Sequence, residues 1–205
     1  GYYSPSYKRP NDVHTHKWFP DIVYVVSRSQ SKEYAQTHDK LWVVPDSAQG
    51  SVSRIRNYIL DHAIEKQIVM LDDDVTHFAR WSHQIDNKLT VTEFEEFVEE
   101  GFDLANQLDV KYWGVNLLTD KGAYREYTPF SMCQCVLGPF QAFNDLDLRY
   151  DESLPLKEDY DLSLQVLHKY HKTLRFNAYH YAAKQQTNTG GCSDYRTLER
   201  EKKQF

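Results

Sequence analysis

Short apolar runs alternate along this chain with segments whose apolar residues recur at helical spacing. Residues 22–26 (IVYVV), 41–44 (LWVV) and 68–71 (IVML) are apolar runs bounded by polar residues or proline, which is typical of buried strands. Between the second and third runs, the apolar positions fit one face of a helix, and Ser51 is a suitable N-cap for it. The first part of the chain therefore predicts two strands, a helix and a third strand.

The second half of the chain continues the alternation. Thr90 and Glu93 form a capping-box pattern ahead of a second amphipathic helix, and residues 112–116 predict the strand that follows it. Residues 160–170 predict a third amphipathic helix, and residues 173–177 predict a last short strand. Strands that alternate with helices in this way predict an α/β fold with a parallel sheet and right-handed crossovers.

Length and composition narrow the class of protein. A chain of 205 residues with 40% hydrophobic residues fits one domain over residues 1–205. It contains no apolar run of about 18 residues, so we expect no membrane span. The net charge of −6 gives no global positive field, so any contact with nucleic acid must be local. The odd number of cysteines, three, predicts reduced thiols and a cytoplasmic location.

Three consecutive aspartates follow the third predicted strand directly. Ligands of a parallel α/β sheet bind beyond the carboxyl ends of its strands, where Asp72, Asp73 and Asp74 lie. If the extended conformation continues, Asp72 and Asp74 point to one side and Asp73 to the other. Two carboxylates on one side can share Mg²⁺ or Mn²⁺ and leave its other positions to phosphate oxygens. A solvated acidic turn is the alternative interpretation of the same residues.

Two families of enzymes carry an Asp-x-Asp of this kind. The pentapeptide DDDVT fits the Asp-x-Asp-x-Thr pattern of haloacid-dehalogenase-type phosphatases, in which Asp72 would be the nucleophile. Those phosphatases usually carry the pattern on their first strand, whereas two strands and a helix precede it here. Residues 50–74, GSVSRIRNYILDHAIEKQIVMLDDD, resemble the donor-binding segment of GT-A glycosyltransferases over a much longer stretch. The shared positions are Gly50, Arg56, Asn57, Ala63 and residues 71–74.

The resemblance continues later in the chain. Residues 138–170 are similar to the acceptor-side segment of GT-A glycosyltransferases, and Glu158 and Asp159 match its acidic pair. The stretches SYKRP (6–10) and VVPD (43–46) resemble, more narrowly, small phage and base-J-type glycosyltransferases that add sugars to hydroxymethylated pyrimidines in DNA. The resemblance implies a GT-A, Rossmann-like fold, namely a mixed and mostly parallel sheet flanked by helices. It also implies a nucleotide-sugar donor, for which we expect a UDP-sugar.

The resemblance and the spacing together give a set of candidate donor contacts. Asp74 is expected to coordinate Mn²⁺ or Mg²⁺ directly, and Asp72 to contact the metal or the donor ribose. The other donor-side candidates are Ser27 and Arg28 beside the nucleobase, Arg54, Arg56 and Asn57 on the first long helix, and Asp73. A surface ion pair is the alternative for each arginine, and an ordinary polar turn for Ser27 and Arg28.

The remaining candidates lie toward the C-terminus. Asp159 matches the position of the catalytic base, with Glu158 beside it, although acidic residues also simply favour a helix start. The resemblance places a third metal ligand near His180, which could equally be structural. Gly190 and Gly191 lie in a polar loop whose backbone N–H groups could wrap phosphates, and a flexible linker fits the same composition.

The acceptor is the least determined part of the prediction. Tyr124, Tyr127 and Phe130 could stack on a sugar or on a flipped base, and basic residues at 196–203 could join Lys184 in contacting DNA phosphates. We therefore expect a modified DNA base as a partner, in a host cytoplasm if the gene belongs to a phage. A saccharide or small-molecule acceptor, the phosphatase, and a silent binding module remain as alternatives.

Overall fold

One sheet organises the part of the chain that the structure describes. The computed structural model describes residues 1–83, 85–117, 124–154 and 156–184. In these ranges the strands are β1 Tyr2–Pro5, β2 Val23–Ser27, β3 Leu41–Val44, β4 Gln67–Leu71, β5 Val75–Ser82, β6 Ile85–Lys88, β7 Tyr112–Asn116, β8 Phe130–Ser131, β9 Phe140–Asn144 and β10 Leu174–Ala183. The α-helices are α1 Ser31–Tyr34, α2 Val52–His62, α3 Val91–Gln107 and α4 Glu158–Tyr170.

The sheet is mixed, with a parallel half and a largely antiparallel half. The strand order is β3-β2-β1-β4-β9-β7-β10-β5-β6, and β8 also pairs with β10. β1 to β4 pair in parallel, whereas β9 runs antiparallel to both β4 and β7. β10 is parallel to β7 and antiparallel to β5 and β8. This architecture confirms the predicted mixed α/β sheet, with most of the parallel pairing among β1 to β4.

Helices cover both faces of the sheet because the central strands bury side chains on both sides. On β4, Val69 and Leu71 belong to the core under α3, while Ile68 and Met70 belong to the core under α2 and α4. This alternation is the period-two geometry of a strand. Among the described residues, no helix is long and apolar enough to cross a membrane.

Local signals in the sequence explain where the long helices begin. The side chain of Ser51 accepts a hydrogen bond from the backbone N–H of Arg54 at the start of α2, as predicted. The capping box of Thr90 and Glu93 is present at the start of α3. The last strand was predicted too short, because β10 continues to Ala183 by pairing with β5. The sequence pattern also missed β1, β5, β6 and β8, whereas the resemblance over residues 138–170 indicated an aromatic-rich strand where β9 lies.

The fold gathers several chain segments at one edge of the sheet. β1, β2, β4 and β7 all end at this edge, since they have the same direction. The antiparallel β9 begins there, and the aspartates follow β4 directly. The edge is therefore the place where the predicted site residues can meet.

Candidate active site

The backbone of residues 72–74 is held by three different segments of the chain. The N–H of Asp72 donates to the carbonyl of Pro139 at 3.0 Å, and the carbonyl of Asp73 accepts from the N–H of His14 at 2.7 Å. The carbonyl of Asp74 accepts from the N–H of Lys184 at 3.0 Å. These bonds fix the three aspartates in a turn between β4 and β5, so each side chain has its own surroundings.

Asp73 points into the protein and meets the N-terminal motif. Its carboxylate accepts from Nε of Arg9 at 2.8 Å and lies 2.5 Å from a second guanidinium nitrogen, while the hydroxyl of Ser6 also donates to it. The side chain has no exposed surface, and burial raises its pKa to about 6 against the lowering effect of Arg9 and Ser6. The structure therefore engages Asp73 internally and does not present it to a donor.

Arg56 connects the end of β4 to the start of α4. One guanidinium nitrogen donates to Asp72 at 2.9 Å and another to Glu158 at 2.9 Å, and the side chain is only 5% exposed. The guanidinium also lies 5.7 Å from the ring centre of Tyr150. Burial raises the pKa of Glu158, an effect that Arg56 opposes. Asp72, predicted on the donor side, and Glu158, predicted on the acceptor side, thus share the buried guanidinium of Arg56.

Asp74 is the carboxylate best suited to a bound cation. The residue is 7% exposed, and its Oδ1 is buried without a hydrogen-bond partner. Burial, followed by the charges of Asp72 and Asp73, raises its pKa to about 7. In the described ranges no group of three His, Cys, Asp or Glu side chains could hold a metal. Two carboxylates with substrate phosphates completing the shell are nevertheless a usual arrangement for Mg²⁺, so Asp72 and Asp74 fit that ion.

Asp159 is held at the first turn of α4. Its Oδ2 accepts from the backbone N–H of Gly138 at 2.9 Å, and its Oδ1 accepts from the N–H of Tyr160 at 2.9 Å. The carbonyl of Gly138 in turn accepts from Gln141 at 3.1 Å. The carboxylate is half-buried and its orientation is fixed by backbone groups, which is what a positioned base requires.

Of the other donor-side candidates, two lie at the sheet edge with the aspartates and two bond to the segment before α4. Ser27 and Arg28 lie at the end of β2, on the same sheet edge as the aspartates, where Ser27 is buried and Arg28 exposed. Arg54 is 47% exposed and pairs with Glu152 at 3.3 Å. Asn57 is buried and bonds both the backbone of Tyr150 and the side chain of Glu152. Arg54 and Asn57 therefore attach α2 to the segment before α4.

The structure does not bring His180 to the aspartates. Its Nε2 lies 2.9 Å from Asp86, and the residue is 1% exposed. Lys184, whose N–H bonds the Asp74 carbonyl, is four residues further along the chain, a span of about 13 Å at the usual strand rise. The cause is the length of β10, which continues in register with β5. Gly190 and Gly191 lie outside the described residues.

Two of the three aromatic acceptor-side candidates are exposed. Tyr127 is 82% and Phe130 43% exposed, and Tyr124 is half-buried. Phe130 lies on β8, which pairs with the first residues of β10. Lys184 is exposed next to the aspartates, while the basic segment 196–203 lies outside the described residues.

Three residues of the site were not predicted from the sequence. Arg9 lies within the SYKRP motif, so the resemblance pointed to the segment without indicating the partner. Gly138 and Tyr181 gave no signal, because their proximity depends on how β9, β10 and α4 come together. A Cβ on residue 138 would lie 2.5 Å from the Tyr181 hydroxyl, so the two residues fit each other closely.

The fold is that of the GT-A type. The structure is similar to residues 1–349 of TarS from S. aureus, a GT-A glycosyltransferase, with a TM-score of 0.51 and 12% identity over 88% of this chain and 60% of that chain. This chain thus spans less than two thirds of the TarS structure, and the likeness concerns the fold alone.

The sequence family agrees with the class. The chain belongs to the TET-associated glycosyltransferase family, whose family model matches residues 3–191. No curated protein matches the sequence. Membership of a glycosyltransferase family disfavours the phosphatase alternative.

Proposed function

We propose that this glycosyltransferase moves a sugar from a UDP-sugar to a hydroxyl acceptor with the help of Mn²⁺ or Mg²⁺. The observation that carries the proposal is the buried, unpartnered Oδ1 of Asp74 beside Asp72 at the end of β4. A divalent cation held there would neutralise the charge that develops on the leaving diphosphate.

The charge balance of the site supports a cation. Among the described residues, the ion pairs in this cluster involve only two guanidinium groups, those of Arg9 and Arg56. They face five carboxylates, namely Asp72, Asp73, Asp74, Glu158 and Asp159. A diphosphate would add further negative charge, and carboxylates do not persist in a partly buried place without neutralisation. The donor is therefore expected to bind together with the metal.

The protein groups divide the work between donor and acceptor. Asp72 and Asp74 would hold the cation, while Ser27 and Arg28 lie at the same edge of the sheet. Arg54 would have to leave its exposed pair with Glu152 to contact the donor. Asp159 takes the proton of the acceptor hydroxyl. The oxygen of that hydroxyl attacks the anomeric carbon of the sugar, and the bond between this carbon and the diphosphate breaks. Arg56 keeps Asp72 and Glu158 in fixed relation, so that the donor side and the acceptor side stay in register.

We propose a hydroxymethylated pyrimidine in DNA as the acceptor. The support is the resemblance of the SYKRP and VVPD stretches, the family's association with TET in its name, and the exposed aromatic rings of Tyr127 and Phe130. The net charge of −6 disfavours strong duplex binding, but an extruded base is held mainly by stacking and hydrogen bonds. A saccharide or small-molecule acceptor is the alternative.

The test uses DNA that contains either hydroxymethylated or plain pyrimidines. The protein is incubated with each DNA, Mn²⁺ and a panel of UDP-sugars, and the DNA is digested to nucleosides that are weighed by mass spectrometry. A hexose or pentose mass on the hydroxymethyl base alone supports the proposal. Transfer to free sugars without any gain of mass on DNA would overturn the proposed DNA acceptor. A failure of transfer to every acceptor would overturn the proposed transfer from a UDP-sugar.

A further inference from the structure

Tyr181 lies where the donor side and the acceptor side of the site meet. Its ring belongs to the core beneath α3, 6.4 Å from the ring of Phe78, and the residue is only 5% exposed. Its hydroxyl reaches the sheet edge, where it lies 2.5 Å from the position that a Cβ on residue 138 would occupy. The end of β7 is also there, since Leu117 borders the same position at 2.8 Å. A tyrosine anchored by its ring thus presents its polar end to the site.

The residue opposite this hydroxyl is the one that holds the proposed base. Gly138 has a φ of +75° and donates its N–H to Asp159 at 2.9 Å. This backbone region favours glycine, and the absent side chain leaves room for the hydroxyl of Tyr181. Tyr181 and Asp159 therefore contact the same residue from two directions.

Three carboxylates of the site influence the hydroxyl through their charges. Burial, followed by the charges of Asp72, Asp159 and Asp74, raises the pKa of Tyr181. The hydroxyl consequently stays protonated and acts as a neutral hydrogen-bond donor. The hydroxyl borders Gly138, whose N–H holds the proposed base, and it is influenced by the charges of the two proposed metal ligands. Under the proposed function, the bond between sugar and diphosphate lies between the metal ligands and the base.

We infer that Tyr181 is a further catalytic residue, whose hydroxyl donates a hydrogen bond to the leaving diphosphate oxygen of the donor. This inference rests on the proposed function. A preorganised donor aimed at an oxygen on which charge develops lowers the barrier more than it strengthens substrate binding. The guanidinium groups of Arg9 and Arg56 are already engaged by carboxylates, so the hydroxyl supplies a donor that they do not.

Tyr181→Phe tests the role because it removes the hydroxyl and leaves the ring in the core. We expect kcat to fall by about ten- to a hundredfold while the donor KM changes less than about twofold. Tyr179→Phe is the matched control. Tyr179 lies on the same strand, but its ring stacks on Phe97 at 3.8 Å and faces Arg80, away from the aspartates. Unchanged kcat in Tyr181→Phe, or a higher donor KM at unchanged kcat, would overturn the assignment.

A binding measurement separates this inference from the proposed function. Calorimetry with UDP and Mn²⁺ should show about tenfold weaker binding in Tyr181→Phe than in the wild type, because the product diphosphate carries the charge that the hydroxyl contacts. Binding of UMP, which lacks the leaving oxygen, should not change. Equal UDP affinity in both proteins would overturn the role of Tyr181 alone. A wild type that binds no UDP with Mn²⁺ would overturn both proposals.

Discussion

Replacing Arg56 with methionine should cost about 3 kcal/mol of folding free energy. Removing one partner of a buried ion pair costs about 3–5 kcal/mol, because the other charge is left without compensation. Arg56 is 5% exposed and Glu158 13%, but Asp72 is 35% exposed and can recover part of its hydration. The loss of the contact with the Tyr150 ring adds about 1–2 kcal/mol, since the contact is desolvated but its 5.7 Å is near the limit of about 6 Å. Because the rehydration of Asp72 offsets the lost ring contact, we expect a total near the lower end of the range.

The assay is urea denaturation of the purified protein, with Arg54→Met as the matched control. Arg54 lies two residues earlier on the same helix, and its pair with Glu152 is exposed on both sides, at 47% and 43%. Such a pair contributes about 1 kcal/mol or less. We therefore expect the two substitutions to differ by about 2 kcal/mol or more, with similar denaturant slopes.

Two further variants identify the bridge as the cause. Arg56→Lys keeps the charge, but a single ammonium group cannot reach both carboxylates with the same geometry, so it should recover only part of the loss. Glu158→Gln should cost less in the Arg56→Met background than in the wild type, since the unpaired carboxylate is then absent. A loss in Arg56→Met that equals the loss in Arg54→Met would refute the reasoning.

Three other outcomes are expected. Asp159→Asn should lower turnover by about 10²- to 10⁴-fold at unchanged donor affinity. Asp161, whose carboxylate accepts from Gln165 on the same helix, is the control, and Asp161→Asn should keep near-normal turnover. Normal turnover in Asp159→Asn would remove Asp159 as the base. Because the pKa of Asp74 is raised to about 7, the protein without a cation should lose stability as pH rises from about 4 through 7. Mn²⁺ should therefore raise Tm more at pH 8 than at pH 6. An equal rise in Tm at both pH values, or a full rise in Tm in Asp74→Asn, would contradict this prediction. Asp73→Ala should cost about 3 kcal/mol in urea denaturation, against about 1 kcal/mol or less for Asp61→Ala, whose partner Arg149 is 34% exposed; similar costs would show that the pair with Arg9 is not the stabilising contact.

Much of the scaffold could be predicted because its signals are local. Strand β4 is a run of apolar residues, and α2 and α3 begin at caps that their own sequence supplies. Hydrophobic periodicity and caps act over a few residues, so they can be recognised without the rest of the fold. Strands β5 and β6 were missed because they are the last two strands on one side of the sheet, with β6 at its edge, and polar residues such as Arg80 and Asp86 interrupt their apolar pattern.

The sequence indicated where in the fold the candidate site lies, but it did not indicate which side chains contact one another there. The aspartates after β4 and the acidic pair at α4 could be singled out, since a charge cluster next to an apolar strand or a helix start is visible in the sequence. Which of these carboxylates face the site, and which partner each one has, depended on segments far apart in the chain. Asp73 pairs with Arg9, 64 residues away, and Arg56 reaches Glu158 across 102 residues.

The sequence by itself thus determined the class of fold, the strand that carries the aspartates and the helix that carries Asp159. Only the tertiary structure decided that Asp73 points inward, that His180 lies beside Asp86, and that Tyr181 meets Gly138 at the site. The physical reason is the range of the interactions. Backbone preference is set by neighbours along the chain, whereas the partner of a buried charge or hydroxyl is set by which strands pair and in which register.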